Sequence, residues 1–166
     1  MKFKKVLLAV IAAVMMMAVP ATAQENTNPV KVVYALDFPD VKRVHLMLNT
    51  LNNLVGHYQK NVIDYEISLV AYGPGLQYVM KDFKGTGFVG KPYLKRGGPA
   101  GNGTQGRLDA LKQLAGDNLT VFACGNTMTK KNVKKEQLLP YTEVTPGGIL
   151  KLIELQGEGA AYIKIK

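Results

Sequence analysis

Three short apolar runs constrain this chain more than any other feature: Val30–Leu36, Tyr65–Tyr72 and Leu119–Ala123. Each reads as a strand, and the first, β-branched and apolar almost throughout, reads as a strand buried on both faces. A helical period separates the first two. Val41, Val44, Leu48, Leu51 and Val55 recur at steps of three and four, which defines the buried stripe of a helix from about Asp40 to Tyr58. Pro39 and Asp40 suit its first turn, where a missing amide costs nothing and a carboxylate faces the positive dipole end.

The same alternation continues along the chain. Gly73-Pro74-Gly75 turns the second strand into a short helical segment expected over Leu76–Phe83. Lys84–Gly106 is glycine-rich and without a period, and is expected to be a long loop. A helix is expected over Arg107–Ala115, with Leu108, Leu111 and Leu114 or Ala115 inward and Gly116 as its C-terminal cap. After the third strand we expect a short basic helix from about Lys131 to Leu139, then a brief fourth strand at Thr142–Val144. A helix over Gly147–Gln156, with Ile149, Leu152, Ile153 and Leu155 on its apolar side, and a last strand over Ala160–Ile165 complete the chain. Strands alternating with helices imply a mainly parallel sheet covered on both faces.

The N-terminus carries a different signal. Residues 1–23 hold three lysines, an apolar stretch from Val6 to Val19, and the small-x-small ending Ala21-Thr22-Ala23, the pattern of a secretory signal peptide. The apolar stretch is short for a bilayer span of about 20 residues, so no stable membrane insertion is expected after cleavage. The protein is therefore expected to be periplasmic or otherwise secreted. Residues 24–29 form a polar lead-in, and residues 30–166 form one domain.

Without the signal, 18 Lys and Arg stand against 12 Asp and Glu, a net charge of +6. The basic residues cluster at Lys91, Lys95, Arg96 and Arg107 and at Lys130, Lys131, Lys134 and Lys135. No aromatic residue interleaves the second cluster, and an exported protein seldom meets nucleic acid, so a solvated face is the better reading.

Several chemistries find no support. Gly101-Asn102-Gly103-Thr104-Gln105-Gly106 matches the letters of a dinucleotide-binding loop but follows no strand, and the next strand ends in Cys124 rather than an acid, so no cofactor is expected. His45 and His57 are twelve residues apart, about a third of a turn out of line on one helix, and no zinc pattern is present. No G-x-S-x-G elbow occurs. Asp37, just beyond the first strand, either orients a ligand or caps a helix, and capping is the simpler reading.

Cys124 remains. It is the single cysteine, so it cannot close an intramolecular disulfide, and it sits where the third strand breaks into Gly125-Asn126-Thr127. In sheets flanked by helices, reactive side chains gather just beyond the carboxyl ends of strands. Turn amides, a cap at Thr127 or Thr129, and Lys130 and Lys131 would all favour the thiolate, whereas a cysteine after Val-Phe-Ala can equally be packing.

Four segments carry a family resemblance: Val32-Val33-Tyr34 with Asp37; Leu69-Val70-Ala71-Tyr72-Gly73-Pro74; Phe122-Ala123-Cys124-Gly125-Asn126-Thr127-Met128; and Pro146-Gly147-Gly148-Ile149 leading to the Leu155–Lys164 segment. In these the chain resembles exported single-domain members of the DsrE/DsrF-like family. The resemblance implies a three-layer α/β/α domain of flavodoxin-like architecture, with a five-stranded, mainly parallel sheet and assembly into homo-oligomers. It also implies sulfur relay, with Cys124 carrying sulfur as a persulfide between a donor and an acceptor, each a protein or a small sulfur species. Asp37, Tyr72, Gly73, Gly125, Asn126 and Thr127 would then shape the ligand site. Tyr72 stands where relatives often have histidine, which removes a neutral-pH proton acceptor. The alternative on the same fold is a non-catalytic small-ligand-binding or assembly protein with a structural cysteine.

Overall fold

A computed structural model of the chain describes residues 28–88 and 103–166. Five strands, β1 (Val30–Leu36), β2 (Tyr65–Ala71), β3 (Leu119–Cys124), β4 (Thr142–Thr145) and β5 (Ala161–Ile163), form one sheet in the order β4-β3-β2-β1-β5. Every neighbouring pair is parallel. Helices α1 (Val41–Lys60) and α2 (Thr104–Ala115) lie on one face of the sheet, the short helix α3 (Gly125–Lys130) follows β3, and α4 (Gly148–Gly157) packs on the opposite face. This is the three-layer α/β/α arrangement.

Strand alternation divides the core. Val32, Tyr34 and Leu36 of β1, Ile67, Leu69 and Ala71 of β2, and Leu119, Val121 and Ala123 of β3 face α1 and α2, where they meet Val44, Leu48, Leu51, Val55, Leu108 and Leu111. Val33, Ala35 and Val70 face the other way, towards Leu152 and Ala160. Val32–Leu36 is buried on both faces of the sheet, which is why β1 reads as an apolar run after exposed Val30 and half-buried Lys31. Each fully buried leucine or valine here contributes roughly 2 kcal/mol.

The helix after β1 is capped as its sequence suggests, but by one acid rather than the other. Asp40 is the N-cap and its Oδ1 accepts from Arg43 N–H at 2.7 Å. Asp37 does not cap.

Three expected helices differ. The segment after β2 is a 3-10 helix over Gly73–Val79, because Gly75 passes so close to the end of β1 that a Cβ there would stand 2.1 Å from Leu36 O. Helix α2 starts three residues before Arg107, at Thr104. The side chain of Thr104 is buried, and its Oγ1 lies 2.9 Å from His45 Nε2. No basic helix spans Lys131–Leu139. Instead α3 begins immediately after Cys124, Asn132 takes φ +50°, and only Lys135–Gln137 coils, as one 3-10 turn. Tertiary partners take backbone groups of this segment: Leu139 N–H donates to Val79 O at 2.9 Å, and Gln137 O accepts from Lys81 N–H at 2.8 Å.

Helix α4 buries a narrower stripe than expected. Leu152 is buried and Leu155 half-buried, whereas Ile149, Leu150 and Ile153 are 54%, 64% and 62% exposed. Positions 148, 152 and 155 share a face, and 149, 150 and 153 turn away from the sheet. The last strand is three residues rather than six. Of the loop expected over 84–106, residues 84–88 are tied down by Gly87 N–H to Lys131 O at 2.7 Å and by Asn132 Nδ2 to Gly85 O at 2.8 Å. Residues 89–102, the signal peptide expected over 1–23 and most of the expected 24–29 lead-in lie outside the described residues.

Candidate functional site at the carboxyl edge of the sheet

Parallel register brings the site together. Leu36 pairs with Ala71, Ala71 with Ala123, and Ala123 with Val144, so the next residues along these strands are Asp37, Tyr72, Cys124 and Thr145, all at the carboxyl edge. Residues far apart in sequence become neighbours by this alone.

Cys124 ends β3 and occupies the N-cap position of α3. It is 5% exposed. Burial pushes its thiol pKa up, yet the net shift is downward, because four donors favour the thiolate: the Thr127 hydroxyl and the amides of Thr127, Gly148 and Asn126. Three come from α3, which starts at the cysteine itself, and the fourth from the start of α4. The expected turn and the expected cap at Thr127 or Thr129 are thus replaced by a helix with Thr127 inside it. Thr127 Oγ1 also accepts from Gly73 N–H at 2.9 Å, so the loop after β2 holds the hydroxyl that faces the sulfur.

The two helix starts are locked to each other. Asn126 N–H, which also faces Cys124, is shared with Pro146 O at 3.3 Å, and a Cβ on Gly125 would lie 3.1 Å from Thr145 O. A Cβ on Gly148 would lie 2.7 Å from Tyr72 Cβ and 2.9 Å from its Cγ, so the tyrosine fills the space that a side chain would need.

Tyr72 donates its hydroxyl to Asp37 Oδ2 at 3.3 Å. Burial, the Asp37 charge and hydrogen bond, Tyr162 and Cys124 together push its pKa up to about 12. It is a neutral phenol at neutral pH and no base. Both histidines are on α1 and engaged elsewhere. Arg107 Nη1 lies 3.0 Å from His45 Nδ1, and since guanidinium only donates, Nδ1 accepts and Nε2–H faces Thr104. His57 neighbours Tyr58 and Asn61. Thiolate formation at Cys124 therefore rests on hydrogen bonds rather than on an imidazole.

All seven residues expected at the site, Asp37, Tyr72, Gly73, Cys124, Gly125, Asn126 and Thr127, meet at this edge, though Asp37 reaches Cys124 only through Tyr72. Gly148 and Tyr162 were not expected there. The Pro146-Gly147-Gly148 signal was visible as a motif but not as a donor to sulfur, and Tyr162 lies in the Leu155–Lys164 segment of the resemblance without being singled out there. Among the described residues no group of three or more His, Cys, Asp or Glu side chains is arranged to hold a metal. A groove of about 560 Å³ between α1 and α2, lined by Leu48, Asn49, Arg107 and Leu114 among others, contains none of the site residues.

A family model described as DsrE/DsrF-like matches residues 14–165 of the chain. The protein belongs to the DsrE/DsrF-like family. Among solved structures, a protein of unknown function from Methanobacterium thermoautotrophicum is similar at TM-score 0.59 and 24% identity, covering 81% of this chain and 97% of its own. That likeness concerns the fold. No curated protein matches significantly. Membership in the DsrE/DsrF-like family supports a sulfur-relay type of function at the level of the family.

Proposed function

We propose that this DsrE/DsrF-like protein is an exported sulfur carrier in which Cys124 binds sulfane sulfur. One observation carries the reading: four donors converge on a buried sulfur and lower its pKa against the effect of burial. The thiolate attacks the outer sulfur of a persulfide or polysulfide donor. A new S–S bond forms to Cys124 Sγ, the bond between that sulfur and the donor breaks, and its electron pair leaves on the donor as a thiolate. From a persulfide donor the product is Cys124 S–SH, whose proton passes to the departing thiolate or to solvent, leaving a persulfide anion charged on its outer sulfur, one bond beyond Sγ. An acceptor thiolate reverses the step. Incubation with polysulfide and intact-mass measurement should show one added sulfur, absent in Cys124→Ser; an unmodified wild-type chain would sink the proposal.

Export is part of the proposal. It is supported by the basic, apolar and small-x-small order of residues 1–23. Cell fractionation of the full chain tests it. Assembly with further copies is supported by Ile149, Leu150 and Ile153, which stand exposed on α4; light scattering tests it.

The near-complete burial of Cys124 favours a second reading, a non-catalytic binding or assembly protein with a structural cysteine. Alkylation separates the two. Rapid modification of the folded chain at neutral pH excludes a structural role, and resistance until unfolding excludes the carrier.

A further inference from the structure

Tyr72 looks at first like a loss, a phenol with a pKa of about 12 at the edge of a site that needs a thiolate. Its surroundings suggest a different role. The ring packs against Gly148, the residue at the start of α4 whose amide hydrogen-bonds Cys124. That amide lies in a Gly147-Gly148 pair, the least conformationally restricted dipeptide a chain can offer. Its place relative to Cys124 depends on what packs against the start of α4.

The fixing groups can be named. Asn126 N–H holds Pro146 O at 3.3 Å, and Lys151 N–H holds Gly147 O at 3.0 Å. The second bond fixes the Gly148 N–H relative to α4, because that N–H shares a planar peptide with Gly147 C=O, but neither bond places Gly148 against the end of β2. Tyr72 does: a Cβ at Gly148 would lie 2.7, 2.9 and 3.0 Å from Tyr72 Cβ, Cγ and Cδ1. The ring is itself well held. Its backbone N–H donates to Leu36 O at 3.0 Å, its face packs with the Val33, Ala35, Val70 and Leu152 cluster, and its hydroxyl is tethered to Asp37. The titratable groups facing it are Asp37 from the end of β1, Tyr162 from β5 and Cys124 from β3. With the hydroxyl given to Asp37, the ring is the part of Tyr72 that acts on the glycine.

We infer that Tyr72 is a positioning residue for the Cys124 thiolate, acting through its ring on the Gly148 amide and not through its hydroxyl. This rests on the thiolate reading of Cys124 and adds to it the group that keeps the second helix start aimed at the sulfur. The glycine at 148 follows: the amide comes close to Cys124 because the tyrosine occupies the place of a side chain.

The test is the pH midpoint of Cys124 alkylation by iodoacetamide, which reports ionisation independently of how open the site becomes and needs no sulfur donor. Tyr72→Ala should raise the midpoint by about one unit, a roughly tenfold lower thiolate fraction at neutral pH. Tyr72→Phe, which keeps the ring, should stay within about twofold of wild type. Gly148→Ala, which drives a methyl into the ring, should move the midpoint in the same direction as Tyr72→Ala and keeps the test open if that variant does not fold. An unchanged midpoint in a folded Tyr72→Ala overturns the inference, as does a Tyr72→Phe shift as large as that of alanine. A wild-type midpoint at the ordinary thiol value overturns both this inference and the carrier proposal. Expected midpoints in a chain that takes up no sulfur from polysulfide support the inference and overturn the carrier alone.

Discussion

Replacing Thr127 with valine removes one oxygen and keeps the shape, and that oxygen serves two partners. A hydroxyl has one hydrogen to give and lone pairs to receive, so Thr127 donates to Cys124 Sγ while accepting from Gly73 N–H at 2.9 Å. A hydrogen bond to a charged group contributes about 1.5–3 kcal/mol. At about 1.36 kcal/mol per pKa unit, its loss would raise the thiol by about 1–2 units. The amides of Thr127, Gly148 and Asn126 remain and take up part of the charge, so we expect the lower end, about one unit. The same change leaves the Gly73 amide without its partner in a half-buried loop, at a cost of about 1–2 kcal/mol of stability. The alkylation midpoint measures the first effect and urea denaturation the second. Thr127→Ser keeps the oxygen and should preserve the midpoint. Equal midpoints for wild type and Thr127→Val would refute the claim that this hydroxyl holds the thiolate.

Other expectations follow from single contacts. His45 has its pKa lowered, first by burial and then by Arg107, so the unfolded chain binds a proton there before the folded one does. The stability that neutral His45 provides is present above the unfolded value of about 6.5 and lost as pH falls below it towards the folded pKa. Urea midpoints should drop across that window in wild type and drop less in His45→Gln. Gly75→Ala places a Cβ 2.1 Å from Leu36 O, a backbone atom that cannot give way, and should cost about 3 kcal/mol or more by urea denaturation. Val62 takes φ +53° while 92% exposed, so Val62→Asn should stabilise by about 1 kcal/mol, read as a higher melting temperature.

Legibility followed the physics of each element. Strands β1 and β3 could be read within a residue because most of their positions are buried and apolar, Lys31 and Thr120 being the polar exceptions. Helix α1 could be read because its stripe of Val44, Leu48, Leu51 and Val55 is regular over twenty residues. The basic stretch after Cys124 misled for the opposite reason. Its lysines suit a helix in isolation, but Val133, Leu138 and Leu139 are each drawn into the core at separate points, and Leu139 N–H and Gln137 O bond to the backbone of Val79 and Lys81. Helix α4 misled through excess: apolar on most sides, it gives no periodicity from which to choose the buried stripe. In the candidate site, Cys124-Gly125-Asn126-Thr127 is contiguous and was visible as a unit. The Gly148 amide is a backbone group 24 residues further on, and no side chain announces a backbone donor.

The sequence alone determined the layers, the parallel sheet and the place of one thiol at a strand end, since those follow from apolar period and strand order. Which groups surround that thiol was decided by tertiary structure. The donors around Cys124 come from α3 and from the start of α4, and Thr127 is in turn held by the loop after β2. Their convergence is set by the register Leu36–Ala71–Ala123–Val144, which brings four strand ends to one edge. A hydrogen bond depends on distance and angle in space, and separation along the chain specifies neither.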